Sequence, residues 1–225
     1  MRKKAVIFDM DGVIIDSQPL YHEFDVQMLR KFGHPATIET VIPYTGLTSV
    51  DRVTKYKKDF ELSETVEDLI KLSVDAMRDF FTSGKIKLID GIPELLSYLQ
   101  KARVPIGIAS STSHELIELI LQRLDVLRFF EKIISGEDVK AGKPAPDVYL
   151  RAAEVLKIQP FECIAIEDSL MGMRSAKAAG FTCIAYKNNY TLDYSCADIV
   201  VSDFYEVVPL MEELLLPDRA HRPQR

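Results

Sequence analysis

From about Lys87 onward the chain alternates short apolar runs with amphipathic helical stretches, and few folds tolerate that rhythm. Pro105–Ala109, Lys132–Ser135, Glu162–Ile166, Thr182–Tyr186 and Asp198–Val201 read as buried strands. Between them lie helical patterns. One sets Leu116, Ile117, Ile120, Leu121 and Leu124 on a single stripe, a second runs from Ala145 to Leu156, and a third from Leu170 to Ala179 is closed by Gly180. A last helix is predicted over Tyr205–Leu215. Repeated strand–helix units return each strand parallel to the last, which predicts an α/β, doubly wound, Rossmann-like parallel sheet with helices on both faces.

One more strand precedes this series. Ala5–Phe8 is an apolar run, yet the strand–helix rhythm does not follow it directly. Residues 17–85 show helical spacing instead, with Phe24, Met28, Leu29 and Phe32 on one stripe. Leu69, Leu72, Val74, Met77, Phe80 and Phe81 suggest another helix with less regular spacing. The economical division is a core of residues 1–16 and 86–225 with an α-helical domain, 17–85, inserted after the first strand. The tail 217–225, with two prolines and three arginines, reads as a frayed terminus.

The first strand ends in Asp9-Met10-Asp11-Gly12-Val13. Two carboxylates at the end of a buried strand need positive charge beside them. In an open parallel sheet, ligands bind beyond the carboxyl ends of the strands. Other strand ends carry Ser110 and Ser111, the loop lysine Lys143 in Gly-Lys-Pro-Ala-Pro-Asp, and Glu167-Asp168-Ser169. Taken singly, Ser110 and Ser169 are ordinary helix N-caps, Lys143 a solvated lysine and Asp11-Gly12 a turn. Bland readings do not easily produce this set at successive strand ends.

Together they suit phosphoryl transfer. Asp9, Glu167 and Asp168, with a backbone carbonyl near Asp11, offer the hard oxygen ligands that Mg²⁺ prefers. Lys143 and Ser110 would hold phosphoryl oxygens as charge develops. Asp9 can act as a covalent nucleophile, and Asp11 can protonate the leaving oxygen and later activate water.

These four pieces resemble those of the haloacid dehalogenase superfamily of aspartate-nucleophile phosphotransferases, over a span from about Lys4 to about Leu215. The helical insertion is similar to that of members with a cap domain, including β-phosphoglucomutase and sugar-phosphate phosphatases. In that family the cap closes over the core and reads the leaving group. The resemblance implies that Asp9 is nucleophile, Asp11 general acid/base, Ser110 and Lys143 phosphate-binding, and that Asp9, Asp11, Glu167 and Asp168 form the magnesium site. Thr45-Gly46-Leu47-Thr48-Ser49 resembles the cap's specificity loop. Gly46, Ser110, Ser111 and Lys143 are thus the expected substrate-binding residues.

The departures favour a hydrolase. A β-phosphoglucomutase carries a lysine before the loop glycine and an arginine three residues after it, and here Thr45 and Ser49 stand there. Each lost cation removes a contact to a second phosphate worth roughly 1.5–3 kcal/mol, with Arg52 or Lys55 one turn later as the candidate replacement. The mutase histidine aligns best with Tyr21, with His22 one step off. Asp11 argues against carbon–halogen and carbon–phosphorus chemistry, which uses no second aspartate there. A phospho-accepting receiver domain, the rival from outside enzymology, places its acceptor on a later strand and has no such insertion.

The 225 residues carry a formal charge of −6, which argues against a nucleic-acid or anionic-membrane surface but allows a small phosphorylated metabolite. Asp9 interrupts the apolar run after Arg2-Lys3-Lys4, so no leader is expected. Cys163, Cys183 and Cys196 lack CxxC spacing and are expected to be reduced thiols of a cytoplasmic protein. His22, His34, His114 and His221 show no zinc spacing. A monomer is the expected state.

Overall fold

The computed structural model describes residues 2–45, 47, 49–82, 86–188 and 192–215, apart from the side chains of 77 and 79–82. Gly46, Thr48, the side chains of Met77, Phe80 and Phe81, and the tail 217–225 therefore lie outside the described residues. The chain divides into two compact units, one formed by Met1–Ile15 and Lys87–Arg225, the other by Asp16–Ile86.

Among the described residues of the first unit, six strands form one parallel sheet: β1 (Ala5–Phe8), β2 (Ile106–Ser110), β3 (Lys132–Ser135), β4 (Cys163–Glu167), β5 (Thr182–Tyr186) and β6 (Ile199–Val201). Their spatial order is β3-β2-β1-β4-β5-β6. The order reverses at β1, so the crevice beyond the carboxyl ends of β1 and β4 is the switch point. Every residue of β1, β2 and β4 is buried, whereas the edge strands β3 and β6 each expose a residue. Continuous apolar runs are what strands covered on both faces require.

The second unit contains α1 (Gln18–Lys31), α2 (Ile38–Val41), α3 (Ser49–Asp59) and α4 (Val66–Thr82). The first unit adds α5 (Ile92–Lys101), α6 (His114–Arg123), α7 (Asp147–Leu156), α8 (Leu170–Ala178) and α9 (Val207–Leu215). Ile117, Ile120 and Leu121 of α6 are fully buried. The strand expected over Pro105–Ala109 is shifted by one residue, because Ser110 still pairs with Ser135 of β3. The last helix opens with a 3₁₀ turn, Phe204–Glu206, capped by the Asp203 carboxylate, which accepts from the Tyr205 amide.

In the second unit Phe24, Met28 and Leu29 of α1 pack inward with Val53 and Tyr56 of α3 and Leu69 of α4. Val74 does not join them and is 54% exposed. It falls off the three-and-four spacing that runs from Leu69 to Ser73, and Ser73 is buried instead. A buried polar line crosses this unit: the Tyr56 hydroxyl donates to Asp25 Oδ2 at 2.9 Å, and Arg52 Nε lies 3.4 Å from the same oxygen. Burial raises the Asp25 pKa, with Arg52 and Tyr56 opposing the shift.

Cys163 and Cys183 are buried, and none of the three cysteines is in a disulfide. Among the described residues no helix is long and apolar enough to cross a membrane.

Candidate active site

The site begins with register. Phe8 pairs with Ile166 across β1 and β4, and the Asp9 amide donates to the Ile166 carbonyl at 2.9 Å. One step further along both strands, Asp9 and Glu167 stand side by side. The chain then turns sharply at Gly12, whose φ is +76°, a conformation that side chains with a Cβ rarely adopt. A Cβ at Gly12 would lie 1.9 Å from Asp168 Oδ2, so the glycine also makes room for the third carboxylate. Asp168 follows β4 directly, and Ser169 caps α8 by accepting from the Gly172 amide at 3.0 Å.

Asp9, Glu167 and Asp168 thus bring one carboxylate oxygen each within 4.8 Å of the others. Lys143 is the cation between two of them, donating to Asp9 Oδ1 at 2.9 Å and to Glu167 Oε1 at 2.6 Å, with its side chain only 7% exposed. Burial disfavours the ammonium charge, but Asp9 and Glu167 outweigh burial and raise the Lys143 pKa. The carboxylates tell the converse story. Burial, then repulsion from Glu167, pushes Asp9 up to about 7 against the pull of Lys143. Burial, then Asp9 and Glu167, also raises Asp168 well above the usual carboxylate range. Three carboxylates around one ammonium leave a deficit of positive charge in a low-dielectric pocket. The donor set is all oxygen, and a divalent cation such as Mg²⁺ fits that deficit.

Asp11 lies at the same strand end, where its Oδ2 accepts from the Thr112 hydroxyl at 2.8 Å. Ser110 is buried as the last residue of β2, and its Oγ accepts from the Thr112 amide at 3.1 Å. Ser111 is exposed at the start of the following loop. Gly46 lies outside the described residues. Within the second unit, His22 Nε2 and Thr45 Oγ1 are 2.7 Å apart, and the Arg52 guanidinium lies 5.3 Å from the centre of the Tyr21 ring. Burial and the nearby Arg52 lower the His22 pKa.

Three residues in contact with the strand-end carboxylates have no clear signal in the sequence. Thr112 holds Asp11, Asn188 Nδ2 donates to Asp168 Oδ2 at 3.1 Å, and the Tyr149 hydroxyl donates to Glu167 Oε1 at 2.6 Å. Thr112 had a faint signal in its place two residues after Ser110. Tyr149 and Asn188 had none, since a lone Tyr in a helix and an Asn in a loop are common.

An open α/β sheet with acidic residues gathered around one lysine puts the candidate chemistry in the crevice beyond the strand ends, at the switch point. Residues 6–186 match the family described as haloacid dehalogenase-like hydrolase, and the chain belongs to that family. A phosphorylated carbohydrates phosphatase of Thermotoga maritima is 32% identical over 177 residues, covering 79% of this chain and 82% of that protein. Hexitol phosphatase B of Escherichia coli K12 is 29% identical over 181 residues, covering 78% and 79%. Among solved structures, CbbY from Rhodobacter sphaeroides in complex with phosphate has a TM-score of 0.78 at 25% identity, covering 92% of this chain and 96% of its own.

Proposed function

We propose that this hydrolase is a Mg²⁺-dependent phosphatase acting on a small phosphorylated sugar or polyol through an aspartyl-phosphate on Asp9. The observation that carries the reading is the buried cluster of Asp9, Glu167, Asp168 and Lys143 at the switch point. The names of the two relatives, a carbohydrate phosphatase and a hexitol phosphatase, support the substrate class.

In the first step a carboxylate oxygen of Asp9 attacks phosphorus and the bond from phosphorus to the ester oxygen breaks. Asp11 gives its proton to that leaving oxygen. In the second step Asp11, now a carboxylate, takes a proton from water as the water oxygen attacks phosphorus. The bond from Asp9 to phosphorus then breaks, and phosphate leaves. Lys143 and Ser110 hold phosphoryl oxygens throughout and balance their charge. Mg²⁺, held by Asp9, Asp168 and the Asp11 backbone carbonyl, would supply the positive charge that lets an anionic nucleophile meet an anionic phosphate.

A panel of hexose phosphates, hexitol phosphates and phosphoglycolate in a free-phosphate assay tests this reading. Release from at least one ester with Mg²⁺, and none with EDTA, is expected. No release from any ester would overturn it. So would efficient conversion of β-glucose 1-phosphate to glucose 6-phosphate with a bisphosphate activator, which Thr45 and Ser49 argue against.

The raised carboxylate pKa values predict opposite pH trends with and without the metal. Folded Asp9 and Asp168 bind protons more tightly than unfolded carboxylates do. The metal-free protein should therefore gain stability as pH falls through about 7 toward the ordinary carboxylate range near 4. Mg²⁺ needs the ionised forms, so its stabilisation should grow as pH rises through that window, reaching about 2.7 kcal/mol at a hundredfold excess over Kd. Thermal unfolding at pH 6 and pH 8, with and without MgCl₂, reads both trends.

A further inference from the structure

The three clustered carboxylates are not equivalent. Asp9 Oδ1 accepts from Lys143 Nζ, and Asp168 Oδ2 accepts from Asn188 Nδ2. Glu167 is more heavily engaged: Oε1 accepts from Lys143 Nζ and from the Tyr149 hydroxyl, both at 2.6 Å, and Oε2 accepts from the Ser169 hydroxyl at 3.3 Å. Its side chain has no exposure at all. The backbone of α8 closes over it so tightly that a Cβ at Gly172 would lie 2.0 Å from the carboxylate.

Tyr149 is equally enclosed. It sits in the first turn of α7, fully buried, with its ring 5.3 Å from that of Phe181 at an interplanar angle of 62°. Phenylalanine would fill that space without bringing a polar atom into it, and a buried hydroxyl costs stability unless it is hydrogen-bonded. Here the hydroxyl donates to Glu167 Oε1, an oxygen that also accepts from Lys143. The Lys143 ammonium in turn lies 5.3 Å from the centre of the Tyr149 ring. Tyrosine, glutamate and lysine thus form a closed chain of contacts ending on Asp9.

We propose that Tyr149 is a positioning residue that fixes the Glu167 carboxylate against Lys143 and so holds that lysine at the phosphoryl site. The proposal rests on the phosphatase reading for the purpose of Lys143, but its test separates the two. Both oxygens of Glu167 already accept hydrogen bonds, whereas Asp9 and Asp168 keep one oxygen each outside the bonds described above. A carboxylate held by three donors in a low-dielectric pocket is a rigid anchor for the cation it faces.

The experiment uses the full chain with Tyr149→Phe, Glu167→Gln and the double variant. Mg²⁺ affinity, and inorganic phosphate affinity in saturating Mg²⁺, are measured by titration calorimetry without turnover; kcat on p-nitrophenyl phosphate is measured beside them. Tyr149→Phe should weaken phosphate binding and lower kcat about tenfold, with the Mg²⁺ Kd changed less than about twofold. In the Glu167→Gln background the same substitution should add nothing, which a general loss of packing would not reproduce. Should Tyr149→Phe fail to fold, Glu167→Gln alone decides, with phosphate binding lost and Mg²⁺ binding kept in support of the proposal. Unchanged phosphate affinity, additive effects in the double variant, or a Mg²⁺ Kd that weakens in step with phosphate would each overturn it. A wild-type chain that binds phosphate as expected yet releases none from any ester would count against the phosphatase reading instead.

Discussion

Asp9→Asn should abolish phosphate release and yet leave the metal-free protein at least as stable as the wild type. Asparagine keeps the size of aspartate and one carbonyl oxygen, but a neutral amide oxygen does not form the acyl phosphate. Loss of the nucleophile should lower kcat by about 10⁴-fold or more, and no covalent intermediate should be trapped on rapid acid quench. The stability expectation follows from a different property of the same side chain. Burial and Glu167 penalise the Asp9 charge by more than Lys143 favours it, which is why its pKa rises. Removing that charge relieves the cluster, and Lys143 keeps its bond to Glu167. Thermal unfolding in EDTA at pH 8 should show an equal or higher midpoint, and added Mg²⁺ should no longer raise it as in the wild type. A variant that still turns over would sink the nucleophile assignment. One that unfolds well below the wild type in EDTA would show Asp9 to be a structural partner of Lys143.

Much of this site was legible because its members sit where strand patterns stop. Asp9, Ser110, Glu167 and Asp168 each terminate an apolar run, and in a parallel sheet that alone brings them to one edge. Lys143 was visible only through its Pro- and Gly-rich surroundings, and its two ion pairs depend on folding across 134 and 24 residues of chain. The bond from Thr112 to Asp11 spans 101 residues, and neither partner's local pattern announces it. Tyr149 shows the limit most clearly. It falls inside the helix read over Ala145–Leu156, but a helical pattern cannot distinguish a ring packed for its apolar face from one placed for its hydroxyl. The polar line from Tyr56 through Asp25 to Arg52 was hidden for the same reason, since Asp25 and Arg52 are exposed types by default and are paired only because α1 and α3 pack together.

Asp11→Asn is the substitution that separates proton transfer from nucleophilic attack. The amide keeps an oxygen able to accept from the Thr112 hydroxyl, which lies 2.8 Å from Asp11 Oδ2, so the side chain should hold its place. What is lost is the acidic proton and the carboxylate base that remains once it has been given up. With a sugar or polyol phosphate, the leaving alkoxide then departs unprotonated and the attacking water meets no base. Both steps should slow by about 10²–10⁴-fold, the range for one positioned acid or base. With p-nitrophenyl phosphate the two steps part company. The nitrophenolate leaves without a proton, so attack by Asp9 should proceed at close to its wild-type rate while hydrolysis of the intermediate stays slow. The variant should then release one equivalent of nitrophenol in a burst and accumulate phosphorylated Asp9, detectable by mass spectrometry of the intact chain. An alkyl ester should show no burst. Equal slowing of both steps with the aryl ester would mean that Asp11 orients the phosphate rather than carrying the proton. If only the alkyl-ester attack were slowed and hydrolysis kept its rate, a different residue would have to be the base that activates water.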